Sequence, residues 1–340
     1  MKDVSKWFVV VNPQAGSGRA ASEWKKIEGD LSSRGIAYTV CETGCRLHAT
    51  EIAYMAAREG YRRFIAVGGD GTVHEVLGGL AGAIGDAIRE GSDVSLSDFR
   101  LAVIPIGSGN DWIKSHGIPH DAKAVLDLIE KGSFVPQDVA KVTALEHSGS
   151  CDRPASGVPG PFTYMLNIGG AGLDAAVCSR VNLQKSQGKR NRLIYVWSLL
   201  NCLLHCRPSP LRVECDGSVI YEGQCLSIAF GIGRYSGGGL MQTPDAVTDD
   251  GLLDYTVIPA ITLTDVLRYG PGLFDGTFTK APILVSGRCR SVVVTPLSDT
   301  GVPVEVDGEI LGKLPVRIDI MPQQINVLDG THAGSTSTEM

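Results

Sequence analysis

From Trp7 to Lys131 the chain alternates short, apolar, β-branched runs with longer amphipathic stretches, and no other feature of the sequence constrains its fold as much. The pattern predicts strands over 7–11, 38–41, 64–67 and 101–104, and helices over 20–33, 49–58, 73–80 and 122–131. Strands that alternate with helices pair in parallel through right-handed crossovers, so the expected first domain is α/β, built on a parallel sheet. Three of the strands run directly into glycine-bearing loops. Ligands of open α/β sheets gather at that carboxyl edge.

The first loop is Asn12-Pro13-Gln14-Ala15-Gly16-Ser17-Gly18, which alone suits either an anion site or an ordinary strand-to-helix turn. The second, Gly68-Gly69-Asp70-Gly71-Thr72, leads into a helix that continues Val73-His74-Glu75. Glycines between a buried strand and a helix let amides approach phosphate oxygens. Asp70 would repel phosphate there unless a divalent cation lay between them, although it also suits a helix cap. The third loop, Pro105-Ile106-Gly107-Ser108-Gly109-Asn110-Asp111-Trp112, adds a hydroxyl at Ser108 and a second carboxylate at Asp111. No P-loop signature is present, which removes the Walker-type kinases as an analogy.

Beyond residue 138 strand signals dominate, over 163–168, 211–215, 227–231, 253–258, 291–295, 302–306 and 316–320, with helices around 174–182 and 193–204. The expected second domain is therefore a mainly antiparallel β-sandwich. The reading places a nucleotide-binding α/β domain at 1–138 and a β-rich substrate domain at 139–320, with 321–340 returning to pack on the first. A glycine-, serine- and proline-rich loop is expected over 147–161 and a frayed tail from Thr331. Asp307-Gly308-Glu309 brings two carboxylates around a glycine on a predicted hairpin, an arrangement open to a general base or to a plain turn.

A formal net charge of -6 argues against nucleic-acid binding by general phosphate attraction. Nine cysteines without zinc-site spacing suggest reduced thiols and a cytoplasmic setting. The start of the chain reads as a first strand rather than a leader, and no apolar run is long enough to span a bilayer.

Taken together, the three loops resemble the diacylglycerol kinase catalytic domain, whose superfamily includes bacterial diacylglycerol kinases, YegS-like lipid kinases and sphingosine kinases. The likeness continues through Asn167 to Asp174, Gly237 to Met241, Pro244-Asp245-Ala246, Asp250 to Asp254 and Asp307-Gly308-Glu309. The Gly-Gly-Asp-Gly-Thr core is shared with NAD kinases, and phosphofructokinases carry a similar loop. The third loop and the Asp307-Gly308-Glu309 motif favour lipid kinases.

The resemblance implies an ATP- and Mg²⁺-dependent kinase that phosphorylates a hydroxyl of diacylglycerol or a related lipid. A sphingoid base or ceramide is the alternative acceptor, and NAD a more distant one. Contacts to ATP are implied for Asn12, Pro13, Gln14, Ala15 and Gly16, for Thr43 after the second strand, for Gly69, Asp70, Gly71, Thr72, Val73, His74 and Glu75, and for Ser108 and Asp111. Ser108 stands for the usual Thr and keeps its hydroxyl, Trp112 stands for Phe, and His74 stands where Asn is common. Glu309 is implied as the base, with Asp307 in the same site, and Asp250 with the carbonyls of Val247 and Leu252 as a structural magnesium site. A lipid substrate further implies peripheral contact with the inner membrane face. The apolar helix over 193–204, behind Lys189, Arg190 and Arg192, is a candidate contact that equally suits packing on the sheet. No nucleic acid partner is expected, and a homodimer is compatible with the sequence.

Overall fold

The computed structural model describes residues 5–107, 109–145, 162–186, 193–299 and 301–331. Ser108, the 147–161 loop, Lys189, Arg190, Arg192 and the tail beyond Thr331 lie outside the described residues. The chain divides into two compact units, one holding residues up to Gln137 and from Gln323 onward, the other running from Asp138 to Pro322.

In the first unit the order is β1 (Trp7–Val11), α1 (Arg19–Ser33), β2 (Tyr38–Glu42), α2 (His48–Arg58), β3 (Arg63–Gly68), α3 (Asp70–Arg89), β4 (Arg100–Pro105), α4 (Trp112–Ser115) and α5 (Ala122–Lys131). Strand β1 pairs in parallel with β2 and β3, and β3 in parallel with β4. The valines of β1 and the Phe64–Val67 stretch of β3 are wholly buried, because helices cover both faces of a parallel sheet. This matches the expected α/β architecture.

Helix α3 extends beyond the predicted 73–80 at both ends. Its glycines lower intrinsic propensity, but one of them is required by packing. A side chain at Gly79 would stand 2.3 Å from the Thr50 carbonyl oxygen, so α2 and α3 approach closely only with glycine there.

The chain passes into the second unit along β5 (Phe134–Ala144). There follow β6 (Phe162–Met165), β7 (Ile168–Gly172), α6 (Leu173–Ser186), α7 (Leu193–His205), β8 (Ser209–Cys215), β9 (Ser218–Gly231), β10 (Leu253–Pro259), α8 (Leu263–Tyr269), β11 (Val285–Cys289), β12 (Ser291–Pro296), β13 (Pro303–Val306), β14 (Glu309–Lys313) and β15 (Val316–Leu328). The pairings within this unit are antiparallel, with β9 bonded to β7, β8 and β10, and β13 bonded to β7 and β14. Inward-facing residues such as Val213, Ile228, Phe230, Leu253 and Val292 build the sandwich core, and Leu173, Val177, Val181, Cys202 and Leu226 form a smaller one under α6 and α7.

Two departures from the predicted elements have local causes. The strand expected over 163–168 is broken, because the amides of Leu166 and Asn167 turn to the Asp307 carboxylate instead of a ladder. Strand β15 runs past its predicted end at 320 and through Pro322. Its far end re-enters the first unit, where Asn326 and Val327 pair in parallel with Arg100 and Leu101 of β4. Strands β5, β11 and β14 and helix α8 had no clear sequence signal.

Candidate active site

The glycine loops of the first unit lie at the carboxyl ends of β1, β3 and β4. In the first loop, Gly16 holds φ +59, and a side chain there would stand 2.2 Å from the Ile106 carbonyl oxygen. Only glycine lets this turn close on the third loop. Asn12 ties the first loop to the second, since its Nδ2 donates to Thr72 Oγ1 at 3.2 Å while its Oδ1 accepts the Gln14 amide at 3.1 Å. Thr43 follows β2 directly, with its amide bonded to the Val11 carbonyl at 2.8 Å.

The second and third loops touch backbone to backbone. A side chain at Gly107 would stand 2.6 Å from the Gly69 Cα. Asp70 locks them together, as its carboxylate accepts the amides of Asp111 at 2.9 Å and of Trp112 at 3.3 Å, capping α4. The Asp111 carboxylate, which is buried, pairs with Lys114 Nζ at 2.6 Å. A side chain at Gly109 would stand 3.4 Å from Asp70 Oδ2 and 3.8 Å from Asp111 Oδ2, so both carboxylates border one small space.

Helix α3 begins at Asp70 with no side chain capping its N-terminus, and nothing lies within 4 Å of where a side chain on Gly71 would stand. A long helix whose start carries no side-chain cap and borders open space is suited to an anion. Val73 and His74 are buried within the unit, so their side chains line its interior. The two carboxylate oxygens of Glu75 accept the Leu47 and Ala49 amides at 3.0 and 3.2 Å and cap α2, which ties this helix to the start of α3.

In the second unit, Asp307-Gly308-Glu309 forms the tight turn between β13 and β14, with Asp307 at φ +49. Both oxygens of Asp307 are engaged, accepting the amides of Leu166 at 2.8 Å and Asn167 at 2.9 Å. The Gly308 peptide is held at both ends. Its amide donates to Glu305 Oε2 at 2.8 Å, and its carbonyl accepts Asn182 Nδ2 at 3.0 Å and Cys178 Sγ at 2.9 Å. Half-buried Glu309 opens β14 from this fixed turn.

Two acids behind the turn escaped the sequence reading as site residues. Glu305 is only 8 % exposed, and burial followed by the nearby Asp174 charge holds its carboxyl well above the usual carboxylate range. Burial likewise pushes Asp174 up to about 6, against hydrogen bonds from Gln242 and Ser227. The register explains their closeness, since Glu305 lies opposite Gly170, over which the Asp174 carboxylate sits. Glu305 stands between Val304 and Val306 in a strand that the structure buries on both faces, which sequence alternation alone does not signal.

Asp250 lies in the acidic turn before β10, with Oδ1 accepting the Leu252 amide at 3.0 Å and Oδ2 facing Arg288 Nη1 at 3.4 Å. Wholly buried Asp138, also unmarked by sequence, braces this turn by accepting the Gly251 amide at 2.7 Å. Among the described residues no group of three or more His, Cys, Asp or Glu is arranged to hold a metal ion, and no helix is long and apolar enough to cross a membrane.

Comparison with known proteins agrees with this arrangement. Residues 6–142 match the diacylglycerol kinase catalytic domain, and residues 168–329 match the YegS C-terminal NAD kinase beta sandwich-like domain. The chain is 27% identical over 331 residues to a diacylglycerol kinase of Mycobacterium tuberculosis, covering 97% of both. It is 30% identical over 258 residues to a Xanthomonas campestris pv. campestris protein named "Probable lipid kinase YegS-like", covering 76% of this chain and 74% of that one. Among solved structures, a diacylglycerol kinase from Bacillus anthracis superposes with a TM-score of 0.67 at 21% identity, covering 96% of this chain and 97% of the other. Yeast NADH kinase shares the fold at a TM-score of 0.52 and 10% identity. With both matched domains present in order and the loops assembled as described, the chain belongs to the diacylglycerol kinase and YegS-like lipid kinase family, and it is a lipid kinase.

Proposed function

We propose that the protein transfers the γ-phosphoryl group of ATP to a hydroxyl of diacylglycerol or a closely related lipid. The observation that carries this reading is the uncapped N-terminus of α3, beside open space and flanked by the Asn12–Gly16 and Gly107–Asp111 loops. Phosphoryl transfer needs positioning, charge neutralisation and removal of the acceptor proton. Positioning falls to the start of α3 at Gly69 to Gly71, with the first loop held against it by the Asn12–Thr72 side-chain bond. The carboxylates of Asp70 and Asp111 border one space and together would hold magnesium there, through water where their oxygens already bind the Asp111 and Trp112 amides and Lys114. When bound it supplies neutralisation of phosphate charge. Glu309 takes the acceptor proton, while Asp307 and Glu305 keep its turn in place from within the second unit. Contact with the lipid is peripheral, at a membrane surface.

A phosphorylation assay with labelled ATP and mixed micelles of diacylglycerol, sphingosine or ceramide, with free NAD in parallel, tests the reading. Label in the diacylglycerol product is expected. Transfer to a sphingoid base or to NAD alone would move the acceptor assignment there, and hydrolysis of ATP without any acceptor product would end it.

A further inference from the structure

The acidic turn before β10 contains a cation supplied by the chain itself. Strands β10 and β11 pair so that Asp254 lies opposite Arg288, which fixes the arginine beside the turn by backbone register. Three guanidinium nitrogens are used. Nε is 3.2 Å from Asp254 Oδ2, Nη1 is 3.4 Å from Asp250 Oδ2, and Nη2 donates to the Asp245 carbonyl. The planar fork of arginine suits such a multipoint role, and its charge persists at every accessible pH.

The implied magnesium site does not fit this arrangement. Its only side-chain donor would be Asp250, whose Oδ1 is taken by the Leu252 amide and whose Oδ2 faces the guanidinium. Magnesium demands near-octahedral oxygen ligands, and here it would compete with a fixed positive charge for a single carboxylate, with no second carboxylate among the implied ligands. The turn is also braced without metal from its other side, where Asp138 accepts the Gly251 amide at 2.7 Å and donates its own amide to the Thr248 carbonyl at 2.7 Å. A cavity of about 460 Å³ bordered by Asp245, Asp254, Thr256 and Arg288 opens beside the Asp254–Arg288 pair.

We propose that Arg288 is the resident cation of the Thr248–Leu252 turn, replacing a structural metal ion and making the fold of this unit independent of magnesium at that position. The turn is linked to its surroundings by a side chain encoded in β11, and the linkage does not respond to magnesium concentration.

Thermal unfolding of the full chain without nucleotide, in EDTA and in millimolar Mg²⁺, tests this with wild type, Asp250→Asn and Arg288→Gln. The wild type is expected to melt at the same temperature in both buffers. Arg288→Gln is expected to melt lower in EDTA by on the order of 2–4 °C, as loss of a partly buried ion pair would produce in a chain of this size. A magnesium-induced rise in the wild type that Asp250→Asn abolishes would overturn the proposal, as would an Arg288→Gln melting temperature equal to wild type in EDTA. A rise that survives Asp250→Asn belongs to another site and leaves it standing. If Arg288→Gln does not fold, the wild type and Asp250→Asn melts in the two buffers decide alone.

Discussion

The carboxylate of Asp70 accepts the backbone amide of Asp111 at 2.9 Å, so the loop after β3 holds the loop after β4 in place. Asp70 therefore has two tasks, one in capping α4 and one facing the space it shares with Asp111. Asp70→Ala should abolish lipid phosphorylation and also lower stability, by about 1–3 kcal/mol for the orphaned amides. Asp70→Asn keeps an acceptor and should recover most of the stability but little of the activity. Denaturant melts beside turnover measurements check this, and an alanine variant as stable as wild type would remove the capping role.

Glu309→Gln should reduce turnover by about 10²–10⁴-fold while nucleotide affinity stays near wild type, because a base acts in the transition state rather than in ATP binding. Glutamine preserves size and the hairpin start, so β14 should form as before. Steady-state kinetics with a separate ATP titration distinguish the outcomes. Near-normal turnover would assign the proton transfer to another group.

Much of the first unit could be read from the sequence, because glycines and β-branched runs are local signals. The identity of the loops was therefore available, but the partners of their side chains were not. Glu75 lies one helical turn from the glycine loop, which suggests ligand contact, and nothing local shows that its carboxylate also caps α2 by accepting the Ala49 amide 26 residues away. Asp307 looked like a site carboxylate by motif, while its bonds to Leu166 and Asn167 arise from a strand break that no pattern announces. Glu305 was missed because alternation assigns a charged residue between valines to the solvent face, and β13 has no solvent face at that point. Arg288 became visible only through the register that sets it opposite Asp254.

Asp174 sets a pH dependence of stability. Its folded pKa of about 6 lies above the ordinary 3.8, so the unfolded chain releases this proton first as pH rises. The group therefore does not lower stability below about pH 4, and it costs stability progressively up to about pH 6 and throughout the range above. Buried Glu305 acts in the same direction. Asp174→Asn, which retains an acceptor for Gln242, should be more stable than wild type at pH 8 by on the order of 1–2 kcal/mol, and should lose the advantage near pH 4. Urea melts at the two pH values measure it, and an equal difference at both would show that Asp174 does not titrate in this range.

Helix α7 divides its apolar residues between two faces. Leu199, Cys202 and Leu203 pack into the small core shared with α6. Trp197, Leu200 and Leu204 are 68%, 48% and 72% exposed, at a spacing that puts them on one outward face. The packing role and the membrane role considered for this helix are therefore compatible, each using its own face. An outward tryptophan among leucines suits the headgroup boundary of a bilayer. Replacing Trp197, Leu200 and Leu204 together with serine should leave the melting temperature nearly unchanged, since the residues are already in water. It should weaken sedimentation with phospholipid vesicles several-fold and reduce phosphorylation of lipid presented in vesicles. Turnover of a short-chain, water-soluble acceptor should remain at the wild-type level. Vesicle binding equal to wild type would move the membrane contact to another surface, and equal losses on soluble and vesicle-borne acceptors would show that the face serves the fold rather than the bilayer.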